Sequence, residues 1–268
     1  MDNLEYDHAD IFPDLHAIET QFHHLVRTVP GIGRLIVNGD EASLQRVLAR
    51  GCWSEQESFG EHADWQLTEQ ENGSFDVLFQ GKHEGHVAWS LTGKHNRSNA
   101  LAAIAAARHV GVPIAQACDS LATFESVKRR MEVRGVVDNI TVYDDFAHHP
   151  TAIATTVGGL RQKIGKSGRI LAVLEPRSNT MKLGAMKDAL PGSLNDADLV
   201  FGFGSRQALG WSLADALAPL GNIASAYEEI DALVAAVAAA ARPGDQIIVM
   251  SNGGFGGVHQ KLLEALGR

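Results

Sequence analysis

The sequence holds only two cysteines, Cys52 and Cys118, far apart and outside any C-x-x-C. That excludes a disulfide framework and a cysteine zinc site, and both read as inert core thiols. No apolar run is long enough to span a bilayer: the longest, around 101–107 and 233–241, are short and rich in alanine. The acidic start MDNLEYDHAD lacks signal-peptide character, so a cytoplasmic protein without a membrane partner is expected. A basic excess is missing as well. With 32 acidic against 23 basic residues and a net charge of −9, the chain repels phosphate backbones, and nucleic acid is not an expected partner. There is no internal repeat and no low-complexity linker. What is present is a globular composition, 45% apolar and 21% charged over 268 residues, enough for one large core or two modest ones.

Helix and strand signals alternate along the chain. GRLIVN (33–38) predicts a strand, EASLQRVLARG (41–51) an amphipathic helix closed by glycine, and 64–91 strands with turns at Asn72-Gly73 and near Gly81–Gly85. This half mixes parallel and antiparallel pieces. A helix over 96–109 buries Leu101, Ile104 and Ala105 and stops before Gly111-Val112-Pro113; a second follows at 114–123. The order then becomes strand 136–145, helix 151–164, strand 168–175, helix 181–190, strand 198–204, helices 211–220 and 228–241, strand 245–251 and helix 257–267. That order predicts a doubly wound parallel sheet, with a domain boundary near residue 122.

In such a sheet the working residues collect on loops at the carboxyl ends of strands. DDFAHHP (144–150) delivers two carboxylates and two imidazoles ahead of Pro150; the plainer reading is an N-cap aspartate with surface histidines. EPRSNT (175–180) carries Glu175 and Arg177, or is a loop capped by Ser178 or Asn179. SNGGFGGVH (251–259) opens the last helix in a geometry that lets backbone N–H groups approach an anion. In TGKHNRSNALAA (92–103), Asn96 and Asn99 stand at i, i+3 behind His95, where an amide can pair with both edges of an adenine. Capping and base binding both stay open there. A fifth segment, NLEYDHADIF (3–12), packs Asp7, His8 and Asp10 into four positions.

Taken in order and spacing, these segments resemble the Mur ligase family over most of the chain. NLEYDHAD is similar to its Asn-x-x-x-Asp-His-x-Asp motif, GKHNRSNALAA to its GxHNxxNAxAA motif, KRRME (128–132) to the arginine preceding the last domain, and YDDFAHHPTA to its interdomain Asp loop. The resemblance implies an α/β protein: the C-terminal part of a mixed-sheet ATPase domain (1–122), then a Rossmann-like doubly wound parallel-sheet domain (123–268). It implies an ATP-dependent C–N ligase of peptidoglycan recycling, with ATP and Mg²⁺ as cofactors. His8 would help bind Mg²⁺ together with a glutamate from outside the chain, while Asn3 and Asp7 shape the turn. His95, Asn96 and Asn99 would face adenine, Arg130 would reach toward the ATP phosphates, and Asp145 would take the ribose. His148, His149 and Arg177 would lie near the cleft between domains, in roles the sequence does not separate.

The wording of NLEYDHADIF, VKRRMEVRG, LEPRSNTMKLG and SNGGFGGVHQKLL is most similar to family members that join the murein tripeptide L-Ala-γ-D-Glu-meso-diaminopimelate to UDP-N-acetylmuramate through an acyl phosphate. A sister ligase adding L-alanine, a folate-type polyglutamate ligase and a non-catalytic nucleotide-binding module are the alternative expectations. Two departures from the family pattern stand out. No GxxxxGK[ST] occurs and the first lysine is Lys82, so the chain is expected to begin partway through the central domain and to be inactive alone. Residues 9–30 contain no lysine, so the carbamylated lysine of several relatives has no counterpart.

Overall fold

The computed structural model describes residues 1–70, 73–89, 91 and 93–267. They form two compact units, one of residues 1–7 and 11–125 and one of residues 8–10 and 126–268. Asn72 of the expected 72–73 turn and Thr92 of the 92–103 segment lie outside the described residues.

The first unit runs α1 (Leu15–Thr28), β1 (Arg34–Asn38), α2 (Ala42–Ala49), β2 (Glu55–Phe59), β3 (Trp65–Glu69), β4 (Phe75–Phe79), β5 (Lys82–Val87), α3 (Lys94–His109) and α4 (Ile114–Ala122). The five strands lie side by side in chain order, parallel from β1 to β3 and antiparallel from β3 to β5. Strand alternation sorts the core. On β1, Leu35 and Val37 pack with Ile18 and Val26 of α1 and Leu44 and Val47 of α2, while Trp65, Phe75, Val77 and Val87 meet Leu101, Ile104 and Ala105 of α3. The β4–β5 turn places Gln80 and Gly81 at φ 51° and 77°, the two-residue form that suits strand twist.

Two elements here have no counterpart among those expected. Helix α1 is capped by Asp14, which accepts from Ala17 N at 2.8 Å, and it buries Glu19 against Arg46 and Arg50. Strand β2 (EQESF) escapes an apolar count because its buried member is charged. Glu57, 8% exposed, accepts from Trp65 Nε1 at 2.8 Å, from Arg108 at 3.1 Å and from Arg34.

The second unit contains β6 (Glu132–Val137), β7 (Ile140–Asp145), α5 (Pro150–Ile164), β8 (Ile170–Leu174), α6 (Asn179–Lys182), β9 (Leu199–Phe203), α7 (Arg206–Leu209), α8 (Leu213–Leu217), β10 (Ala224–Tyr227), α9 (Ile230–Ala240), β11 (Gln246–Met250) and α10 (Val258–Leu266). The sheet order is β10-β9-β8-β11-β7-β6. On fully buried β8, Ile170, Ala172 and Leu174 belong with Ile153, Val157 and Leu160 of α5. Leu171 and Val173 belong with Leu233 and Val237 of α9 and Val258 and Leu262 of α10. Both faces are therefore covered by helices, which is why these strands read as continuous apolar runs.

Several expected boundaries give way. The strand expected over 136–145 is a hairpin: Asp138 and Asn139 take φ 48° and 61°, and β6 runs antiparallel to β7, so the sheet is mixed at this edge. Aspartate and asparagine tolerate the left-handed region, so the Asp-Asn pair turns the chain without glycine. The helix expected over 181–190 shrinks to α6, ended by Gly184 at φ 73°, and the one over 211–220 shrinks to α8, capped by Ser212. Strand β10 (ASAY) is too short and small-sided to show as a pattern. Among the described residues no helix is long and apolar enough to cross a membrane.

Candidate functional site

In the first unit the site residues sit at the start of α3. Gly93 is the N-cap at φ 95°, and a β-carbon there would come within 2.8 Å of the His95 ring, so only glycine leaves room for that ring. With the helix beginning at Lys94, Asn96 and Asn99 are its third and sixth residues, and its N-cap, Gly93, has no side chain to cap it. Asn99 is exposed and its amide hydrogen-bonds none of the described residues. The capping alternative therefore does not describe Asn99.

His8 is exposed and left-handed, at φ 52°, a conformation a β-carbon resists. It falls in the second unit with Asp10, whose carboxylate accepts from Asn179 Nδ2 at 2.7 Å. Mg²⁺ asks for a near-octahedral set of oxygen ligands. Among the described residues no three His, Cys, Asp or Glu side chains group together as a metal site, so His8 could supply one ligand of such a set and not the set itself.

The remaining residues gather where β7, β8 and β11 end. Asp145, 2% exposed, brackets three segments: Oδ1 accepts from Ala147 N at 2.8 Å and Thr156 Oγ1 at 3.3 Å, and Oδ2 accepts from Met131 N at 2.9 Å. Burial pushes its carboxyl above the ordinary value, against the pull of those N–H groups and of the Arg130 charge. The two histidines that follow are held in opposite tautomers. His148 Nδ1 donates to Phe146 O at 2.9 Å, while His149 caps α5, its Nδ1 accepting from Thr151 N at 3.4 Å. With His148 Nδ1 committed to the Phe146 carbonyl, its Nε2 is the ring nitrogen left for a ligand, and the cap role expected of an aspartate falls to His149.

The tandem arginines divide their work. Arg129, at φ 58°, is pinned: its guanidinium donates to Gly253 O at 2.9 Å, to Ser251 O and to Asp144 Oδ1 at 3.3 Å, and lies 5.0 Å over the Phe146 ring. Its own carbonyl accepts from Phe146 N at 2.8 Å. Arg130 is left exposed, between left-handed Arg129 and left-handed Met131. Asp144 is also 3.4 Å from His259 Nε2, without a hydrogen bond; burial lowers that imidazole's pKa, against the pull of the Asp144 charge. Arg177 is exposed and lies against Gly253, where any β-carbon would overlap its guanidinium. Glu175, half-buried, receives the Ser251 hydroxyl at 2.6 Å.

The structure therefore brings Arg130 and Asp145 together, and Arg177 onto the 251–253 turn, with His148 and His149 at the start of α5. His95, Asn96 and Asn99 belong to the other unit. Sequence reasoning missed Arg129, Asp144 and His259 as a buried group and Glu175–Ser251 as a pair. KRR and DD each show two like residues, and only packing decides which one turns inward.

Comparison with known proteins follows the same division. The Mur ligase middle domain matches residues 1–107, and the Mur ligase, glutamate ligase domain, residues 129–253. The chain is 51% identical over 270 residues to the Escherichia coli UDP-N-acetylmuramate–L-alanyl-γ-D-glutamyl-meso-2,6-diaminoheptandioate ligase, covering all of this chain and 59% of that protein. A UDP-N-acetylmuramate–L-alanine ligase of Caldanaerobacter subterraneus is 34% identical over 193 residues, 69% of this chain and 41% of the relative. Among solved structures, a murein peptide ligase from Psychrobacter arcticus aligns with a TM-score of 0.74 at 40% identity, over all of this chain and 57% of that one. The chain thus spans about three-fifths of the length of the first of these relatives.

Proposed function

Because the chain belongs to the Mur ligase family, we propose that it carries the adenine-facing half of a central ATPase domain (1–122) and the Rossmann-like ligase domain (123–268) of an enzyme joining the murein tripeptide to UDP-N-acetylmuramate. The observation that carries this reading is the graded similarity: 51% identity along the whole chain to a tripeptide ligase, against 34% along part of it to an alanine ligase.

ATP would supply the phosphate that turns the sugar-lactyl carboxylate's oxygen into a leaving group. For the chain's own residues, His95 and the amides of Asn96 and Asn99 would meet the base, with Asn99 needing to break no internal bond to do so. Arg130 would offset phosphate charge, held outward because Arg129 anchors the turn beneath it. Asp145 would meet the ribose while its carboxylate fixes the Arg130 turn. His148 would present Nε2 as a proton acceptor near the attacking amine, His149 would hold the loop, and Arg177 would face the substrate's carboxylates. His8 would contribute one ligand to Mg²⁺, the rest coming from elsewhere. The test is substrate choice. Full-length gene product given UDP-N-acetylmuramate, ATP and Mg²⁺ should release phosphate with the tripeptide in clear preference to L-alanine; the reverse preference would sink the proposal.

A further inference from the structure

Asp144, the other carboxylate of the Asp144-Asp145 pair, is 5% exposed. One of its oxygens, Oδ1, stands almost equally far from two basic groups. Arg129 Nε donates to it at 3.3 Å, while His259 Nε2 lies 3.4 Å away and forms no hydrogen bond. The arginine reaches it from the segment ahead of β6, the imidazole from the first turn of α10. A buried acceptor placed between two such groups is held by the one that is always charged. The imidazole nitrogen competes once it carries a proton.

The charges facing His259 come from every element packed around it. Burial, the largest influence, lowers its pKa below the ordinary 6.5, and Arg134 of β6 and Arg129 act in the same direction; Asp144 of β7 and Glu132 of β6 oppose them. On α10 itself, Lys261 is engaged by Asp231 of α9 at 2.5 Å. At pH 8 the ring is therefore neutral and Oδ1 belongs to Arg129. Acid supplies the competing proton.

Arg129 carries that occupancy to the site. Its guanidinium also holds the carbonyls of Ser251 and Gly253, its own carbonyl accepts from Phe146 N at 2.8 Å, and its N–H donates to Glu132 Oε2 at 2.9 Å. Met131 N is held by Asp145, so both neighbours of Arg130 are fixed in the left-handed region. The direction in which Arg130 leaves the backbone thus depends on Arg129 staying seated.

Resting on the reading of Arg130 as the phosphate-facing residue, we propose that Asp144 and His259 are positioning residues for ATP. Asp144 seats Arg129, which aims Arg130, and a protonated His259 takes Oδ1 from Arg129 and unseats it. Neither needs to touch the nucleotide. The consequence is an ATP affinity that declines in acid because of a histidine beneath the site.

The full-length gene product is titrated calorimetrically with a non-hydrolysable ATP analogue and Mg²⁺ from pH 8 down to about pH 5, beside Arg130→Ala, Asp144→Asn and His259→Leu. Ionisation of the analogue is common to all four proteins and drops out of their ratios. Across this range the wild type should lose about tenfold more affinity than His259→Leu, whose apolar side chain cannot compete for Oδ1. Asp144→Asn should bind about tenfold more weakly at pH 8 and be as insensitive to acid as His259→Leu. A purely structural role for Asp144 would weaken binding and leave the wild-type slope. Parallel pH profiles for the wild type and His259→Leu would overturn the proposal, and this comparison decides even if Asp144→Asn does not fold. Arg130→Ala separates the two readings. If it binds like the wild type, the phosphate role of Arg130 falls and the positioning with it; if it weakens binding while the other two variants match the wild type at every pH, the positioning alone falls.

Discussion

Asn99→Ala is expected to move two measurements in opposite directions. The residue is the sixth in a 16-residue helix, is exposed and hydrogen-bonds none of the described residues, so truncation removes no internal bond. In a helix interior alanine is preferred to asparagine by about 0.5 kcal/mol, and the fold should hold or gain stability by that much. Were the amide a cap, the same change would cost about 1 kcal/mol. On the ligand side, an amide pairing with an adenine edge is worth about 1–3 kcal/mol, which corresponds to a loss in ATP affinity of about 5- to 150-fold. Calorimetric titration of the full-length gene product with a non-hydrolysable ATP analogue reads the affinity, and urea unfolding the stability. Unchanged affinity would refute the base-facing role, and a stability loss matching the affinity loss would show that the helix, not the contact, was damaged.

Other expectations concern the stability of the fold and the reactivity of its thiols. Glu57→Ala strands the indole N–H of Trp65 and leaves Arg34 and Arg108 short of a partner; allowing for the partial exposure of both arginines, it should cost about 2–4 kcal/mol in urea unfolding, and a loss under about 1 kcal/mol would refute the network's importance. Burial pushes the Cys118 thiol up to about 11, so at pH 8 about one molecule in a thousand is thiolate; a disulfide reagent should label half-buried Cys52 in the folded chain and Cys118 only on unfolding. Asp145 has a folded pKa above the unfolded one, so its contribution to stability is complete below pH 3.8 and is lost as pH rises through the raised value. Subtracting the urea stability curve of Asp145→Asn should isolate a component that falls with rising pH, and a component that rises would contradict the burial argument.

What the sequence conveyed depended on how each element buries its side chains. The strands and helices of the second unit were legible because β7, β8 and β11 are apolar on both faces and α5, α9 and α10 repeat every third or fourth residue. Elements defended by charge were not: β2 turns Glu57 inward, and α1 buries Glu19 between two arginines. Composition shows a charge and not its partner. The hairpin over 136–145 was missed because its turn uses Asp138 and Asn139 rather than glycine. For the site, motifs named the neighbourhood but not the division of labour. Nothing in KRRME tells that Arg129 faces inward and Arg130 outward, or in AHHP that His149 caps a helix while His148 does not. The arginine assignment depends on the carbonyls of residues 251 and 253, more than a hundred positions away, and the histidine assignment on Phe146 O and Thr151 N close by.

That short hairpin decides the direction from which the chain arrives. Had the chain entered β7 directly, as a parallel strand requires, the residues before it would lie at the sheet's amino edge. Six residues of strand at about 3.3 Å each would then separate Arg130 from the carboxyl ends by about 20 Å. Because Asp138 and Asn139 reverse the chain, β6 travels the opposite way, Glu132 pairs with Asp144, and Met131 N–H reaches Asp145. Two residues at the far end of the sheet thereby deliver an arginine to the near end. Insertion of one residue in that turn would change the register of β6 and rotate the arginines by one place, exchanging the anchored residue for the offered one with no change at the site itself.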